Sequence, residues 1–123
     1  MLCLSVVLTA CQAASLQTPA GAPDPAKIKF RLDDIGADGL RGPADGLVAV
    51  SYEFCVPGNE PVYREVRRLD ASLQLHPGAS GRSGCAKDQT LAIGNTNQPG
   101  WRGVLDALSS LDYVSAINEC FFE

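Results

Sequence analysis

The stretch Leu47–Val56, LVAVSYEFCV, decides the fold. Its alternation puts Val48, Val50, Tyr52 and Phe54 on one face and Ala49, Ser51, Glu53 and Cys55 on the other. That two-residue period marks a strand with one side in a core. Pro57, Gly58 and Asn59 then break the pattern. Asn59 can cap a helix with its side-chain oxygen, and Glu60 and Pro61 suit a first turn, where a carboxylate meets the positive helix end and a missing N–H costs nothing. The predicted helix runs to about Asp70. Val62, Val66 and Leu69 fall at core spacing, and Arg64, Arg67 and Arg68 point mostly outward.

Downstream, SLQLHPGASGRSGCAKDQTLAIGN predicts two short strands, around Leu73–His76 and Thr90–Ile93, joined by a Gly- and Ser-rich loop. Asn97-Gln98-Pro99-Gly100 signals a second helix, whose apolar stripe is Trp101, Val104, Leu105, Leu108 and Leu111. VSAINECFF closes the chain as a strand. Upstream, Ile28, Phe30 and Leu32 alternate with Lys29 and Arg31, which predicts a further strand over residues 28–32. The segment between it and Leu47 is dense in Asp and Gly and reads as turns.

From Leu47 onward the order is strand, helix, strand, strand, helix, strand. This order, with the ending VLDALSSLDYVSAI, resembles the ferredoxin-like βαββαβ sandwich. The resemblance implies an α+β domain with an antiparallel sheet and two helices on one face. The strand at 28–32 is then expected as an extra N-terminal strand at a sheet edge. The fold alone names no function.

The N-terminus carries an address. Leu2 to Leu8 is almost wholly apolar, too short to span a bilayer but right for the apolar part of a secretory signal. It ends Leu8-Thr9-Ala10-Cys11, which resembles the lipobox of bacterial lipoproteins. That resemblance implies cleavage after residue 10 and acyl chains on Cys11, with Gln12 favouring the outer membrane, facing the periplasm. The positive residues expected before the apolar run are missing, which predicts a true start upstream. Residues 11–27, rich in Pro, Ala and Gly, are expected to form a tether, and residues 28–123 one small domain.

Several function classes are disfavoured. A net charge of −4 without a basic stripe argues against nucleic acid. No cofactor fingerprint is present. Cys55 stands alone where small metal-carrying domains of this topology place two cysteines, so no metal site is expected there. Asp33, Asp34, Asp38 and Asp45 lack calcium-loop spacing. HPGASGRSG lacks the Lys-Ser/Thr ending of a phosphate cradle, although its Arg82 could help hold an anion.

Besides Cys3 and Cys11, three cysteines remain: Cys55, Cys85 and Cys120. Cys85 and Cys120 are the first choice for a disulfide, with the other pairings open. Strand alternation sends Glu53 and Glu119 to opposite faces, which removes a carboxylate pair. The leading expectation is a non-enzymatic envelope lipoprotein that binds a ligand or an envelope protein partner. Its expected interaction surface is the sheet face bearing Ser51, Glu53, Thr90 and Asn118. The alternatives are a small hydrolase using His76 with a loop serine, or a metal-handling module at Cys55.

Overall fold

The structure, a computed structural model, describes residues 21–121. The signal segment, Cys11 and the first part of the tether lie outside the described residues. The architecture is α+β: two short strands, β1 (Leu40–Arg41) and β2 (Val48–Ala49), pair as a small ribbon. Then come β3 (Ser51–Pro57), α1 (Glu60–Leu69), β4 (Gln74–Pro77), β5 (Gln89–Asn95), α2 (Trp101–Ser109) and β6 (Asn118–Glu119). The second sheet is antiparallel with order β4-β5-β3-β6. Among the described residues no helix is long and apolar enough to cross a membrane.

The strand reading of SYEFCV holds, and its alternation is realised in burial. Val50, Tyr52, Phe54 and Val56 are essentially inaccessible and share one core cluster with Val66 of α1 and Trp101, Leu105 and Leu108 of α2. Both helix starts occur where the capping signals place them. The Asn59 side chain accepts from the Val62 amide at 3.1 Å, and α2 begins after Gly100 in a left-handed conformation. At the end of α2, the Ser109 and Ser110 hydroxyls bond back to the Asp106 and Ala107 carbonyls.

Two strand expectations need correction. The Leu47 strand is interrupted at Val50, so Val48 belongs to the small ribbon and is exposed rather than buried. The cause is Thr96, whose hydroxyl accepts from the Val50 amide at 2.9 Å and donates to the Gly39 carbonyl at 2.6 Å. A β-carbon on Gly39 would lie 1.9 Å from the Thr96 carbonyl oxygen, so the backbones meet there only because residue 39 is glycine.

The second correction concerns residues 28–32, which form no strand. Ile28 makes one isolated parallel bridge to Ile117, framed by Lys29 N–H to the Ile117 carbonyl and Ile117 N–H to the Lys27 carbonyl, both 2.8 Å. The chain then leaves the sheet. Ile28, Phe30 and Leu32 still pack against the core, with Phe30 stacked 6.4 Å from the Tyr52 ring, while Lys29 and Arg31 are exposed. The alternation therefore reports burial correctly without a hydrogen-bonded ladder. Where a tether is expected through residue 27, the chain from Gly21 is already held. Gly21 N–H bonds to the Ser110 carbonyl and the Asp24 amide to the Ser109 hydroxyl.

A buried polar knot ties the helix ends to the sheet. Asp70, fully buried at the end of α1, accepts from the Tyr52 hydroxyl at 2.5 Å, the Ser72 amide and hydroxyl at 2.9 and 2.7 Å, and the Gln98 amide at 3.0 Å. Gly94, opposite Tyr52, leaves room for it: a β-carbon there would stand 2.8 Å from both the Asp70 carboxylate and the Tyr52 ring. Burial, and then Asp70 itself, raises the Tyr52 phenol far above its usual range, so it stays a donor.

Candidate ligand-binding groove

The register of the larger sheet sorts its residues between two faces. Cross-strand partners share a face, so Glu53 lies with Ile93 and Asn118, and Cys55 with Leu91 and His76. The helices cover the other side, where Thr90 pairs with Val56 and shares a 2.5 Å hydrogen bond with the Tyr63 hydroxyl of α1. Thr90 therefore leaves the expected interaction face.

That face is covered over Glu53 and Leu91. The loop between β4 and β5 folds back over it as a strap. Cys85 is joined to Cys55, with alpha carbons 5.5 Å apart. The Glu53 carboxylate, 2% exposed, accepts from the Ser83 amide at 2.7 Å and the Ser83 hydroxyl at 2.8 Å. Asn118 donates to the same Ser83 oxygen at 3.0 Å. Gly81, at a φ of 59°, passes so close that a β-carbon would meet Glu53 and Leu91. Ser51 and Glu53 are thus partly or wholly covered by the protein's own chain.

The disulfide corrects the expected Cys85–Cys120 pairing. Cys55 is the cross-strand partner of Leu91, and the strap that runs over this face past Glu53 and Leu91 carries Cys85 to it. Cys120 is left as a buried free thiol. Burial, with the Glu53 carboxylate beside it, pushes that thiol up to about 11. A thiol held protonated at neutral pH is a poor nucleophile and a poor metal ligand.

Where the strap ends, a groove opens. It has a volume of about 510 Å³ and is lined by Lys29, Phe30, Arg31 and Asp34 on one lip, Arg41 of β1, Arg82 and Ser83 of the strap, Asn118 and Glu119 of β6, and Phe121. Its shape follows from the departure of residues 30–34 from the sheet after the Ile28–Ile117 bridge. Arg41 and Glu119 close on each other through both guanidinium nitrogens, at 2.6 and 3.3 Å. The Arg82 guanidinium lies 5.1 Å from the centre of the Phe121 ring. Lys29 and Arg31 make no side-chain hydrogen bond or ion pair among the described residues. Of the four expected interaction residues, Asn118 alone reaches this groove.

Other chemistry finds no constellation here. Cys55 is committed to the disulfide, which removes the soft ligand that a metal-handling module needs. Among the described residues no group of three or more His, Cys, Asp or Glu side chains is placed to hold a metal ion. His76 is exposed on the edge strand β4, its imidazole makes no hydrogen bond among the described residues, and it does not line the groove. Among the described residues no serine hydroxyl or carboxylate is hydrogen-bonded to the His76 imidazole, the contact that would orient it as a base. Glu53 and Glu119 lie on opposite faces, as alternation requires.

The groove had three sequence signals: the exposed phase of the IKFRL alternation, which sets Lys29 and Arg31 side by side, Arg82 in the HPGASGRSG loop, and Asn118 on the expected interaction face. Nothing local marked Arg41 or Glu119. Comparison with protein-family models, curated proteins and solved structures finds no match to this chain.

Proposed function

We propose that this chain is a lipid-anchored cell-envelope protein whose domain works by binding rather than by catalysis, and that the groove beside β6 is its contact surface. The observation that carries the binding reading is the groove itself. It is a recess in an otherwise acidic protein whose lining includes Lys29 and Arg31, which make no ion pair among the described residues, and the rings of Phe30 and Phe121. The Cys55–Cys85 bridge supports export, because such bonds persist in oxidising compartments. The lipobox-like Leu8-Thr9-Ala10-Cys11 supports membrane attachment through acyl chains, and Gln12 supports the outer membrane, facing the periplasm.

The domain is read as a ferredoxin-like sandwich. In the βαββαβ unit that starts at β3, the sheet order β4-β5-β3-β6 runs second, third, first, fourth strand, with every pair antiparallel. That order supports the assignment, and the ribbon β1–β2 is then an addition before it.

The anchor has a direct test. Intact mass spectrometry of membrane-extracted protein is expected to show a chain beginning at an acylated Cys11. An unmodified chain beginning at Met1 would overturn the anchored reading.

A further inference from the structure

The groove's place in the sheet says what kind of partner it fits, given that it is the contact surface. β6 pairs with β3 so that the Cys120 amide donates to the Ser51 carbonyl at 2.8 Å. Ser51 and Cys120 are therefore a hydrogen-bonded pair, and the next pair along, Tyr52 and Glu119, is not bonded across the strands. The N–H and C=O of Glu119 consequently point away from β3, out of the sheet edge. Two residues earlier, the Ile117 N–H donates to the Lys27 carbonyl and the Ile117 carbonyl accepts from the Lys29 amide, both at 2.8 Å and in parallel register. A continued ladder would bring the Lys29 carbonyl and the Arg31 amide to Glu119. Instead the chain leaves the sheet, and neither main-chain group of Glu119 has a backbone partner on that side among the described residues. The groove is that vacant strand position, with Lys29, Phe30 and Arg31 along its outer lip and Asn118 and Glu119 along its inner one.

An unpaired edge is a template for another strand, and main-chain bonds to such an edge commonly hold an extended peptide. The side chains along the groove say which peptide. Lys29 and Arg31 make no ion pair among the described residues, whereas Arg41 is matched by Glu119. Asp34 is the one carboxylate left in the lining, so the two cations favour a single acidic side chain. Phe30, between them in sequence, packs against the core beside Tyr52. Phe121 is 54% exposed and carries Arg82 over its ring. Adjacent residues of a strand face opposite ways, so a partner's acidic residue can meet the cations while its neighbour meets the rings. We propose that the open edge of β6 takes a short extended segment of a partner protein by strand addition, bonded to the main chain of Glu119, with an acidic side chain toward Lys29 and Arg31 and an apolar one against Phe30 and Phe121. Only a short segment is held, because β6 is two residues long and the groove measures about 510 Å³.

The test is a titration of the full-length protein in a non-ionic detergent at low salt, followed by amide chemical shifts and amide exchange. The probe is the blocked peptide acetyl-Thr-Val-Asp-Phe-Thr-Val-amide. Only alternate N–H groups of an added strand face the edge, so the comparators are two N-methylated forms, one methylated at the odd and one at the even positions. The expected result is saturable binding of the unmethylated peptide, with shifts centred on Arg31, Asn118 and Glu119 and slower exchange of the Glu119 amide. One methylated form should bind at least about tenfold more weakly than the other, because its methyl groups replace the bonding protons. Replacing both Lys29→Gln and Arg31→Gln, each exposed and therefore tolerated by the fold, should weaken the unmethylated peptide by about fivefold. Arg64→Gln, on the outer side of α1, should leave it unchanged.

Equal binding of the two methylated forms at the groove residues overturns strand addition but leaves the groove as the contact surface. Equal affinity in the double variant overturns the acidic partner, and the proposal with it. Saturable binding whose shifts lie on α1 or β4, away from the groove, overturns both the proposal and the groove reading. No binding of any of the peptides overturns the proposal alone. Sedimentation without peptide separates a second copy of this chain from a peptide partner. Concentration-dependent dimers that protect the Glu119 amide assign the edge to self-pairing and overturn the proposal, whereas a monomer with that amide unprotected upholds it.

Discussion

Removing the Cys55–Cys85 bridge, by Cys55→Ala with Cys85→Ala or by reduction of the native protein, is expected to cost roughly 3–4 kcal/mol of stability on the chain-entropy account. The bridge spans a sequence separation of 30, so its loss frees a sizeable loop in the unfolded chain. A domain of this size has a total stability of about 5–15 kcal/mol, so the loss is a large fraction, and the melting temperature should fall by roughly 12–30 °C. The structural consequence is local. Without the bridge, the strap is held to the sheet mainly by the Ser83 contacts to Glu53 and by Asn118. The Ser83 amide should then lose exchange protection by far more than the Phe54 amide in the middle of β3. Arg82 and Ser83 form one wall of the groove, so ligand affinity should fall with it. A doubly substituted protein of unchanged melting temperature, with Ser83 still protected, would show that the strap is held by other means.

Asp70→Ala should be comparably damaging for a different reason. The carboxylate is fully buried and accepts four hydrogen bonds, from Tyr52, from the amide and hydroxyl of Ser72, and from Gln98. Alanine removes the acceptor and leaves those donors stranded, at about 1–3 kcal/mol for each one that finds no water. Since Ser72 and Gln98 are only part-buried, the Tyr52 hydroxyl should dominate, and a total of roughly 3–4 kcal/mol is expected in urea unfolding. Asp70→Asn keeps one acceptor oxygen and should lose about half as much. The diagnostic is Tyr52→Phe in the Asp70→Ala background, which removes the stranded hydroxyl. The pair should recover part of the loss, giving a coupling of about 1–2 kcal/mol. Strictly additive losses would mean that the knot does not act as a unit.

What was legible in the sequence was what is local. Asn59 and the Pro99-Gly100 pair place the helix starts because the cap and turn chemistry lies within a few residues of the effect. The alternation of Ser51–Pro57 gives a strand and its buried face for the same reason. The alternation at 28–32 marked inside and outside correctly, yet hydrogen bonding there depends on Ile117, far away in the chain, and a period of two does not reveal a partner. Val48 departs from the burial its alternation predicts because the break at Val50 is caused by Thr96, again from a distance.

The site was less legible still. Glu53 looked like an outward residue of an open face, and alternation did place it opposite the helices. The strap that covers it follows from a disulfide whose partner could not be chosen from spacing. The Gly- and Ser-rich loop carrying Cys85 can reach in more than one direction, and its fold back over the sheet face, with Ser83 on Glu53, brings it to Cys55. Asp70 carried no sign that it would sit at the centre of a buried network, since an aspartate ending a helix is ordinarily wet.

The stapled strap covers Glu53 and Leu91 on the sheet face and forms one wall of the groove beside β6, the proposed contact surface. Peptide mapping of the unreduced protein by mass spectrometry, with thiol alkylation before and after unfolding, tests that fastening most directly. The expected result is one linked pair of peptides containing Cys55 and Cys85, with Cys120 alkylated only once the protein is unfolded. A Cys85–Cys120 or Cys55–Cys120 linkage would contradict it, because the strap would then be fastened elsewhere and the groove would lose the wall formed by Arg82 and Ser83.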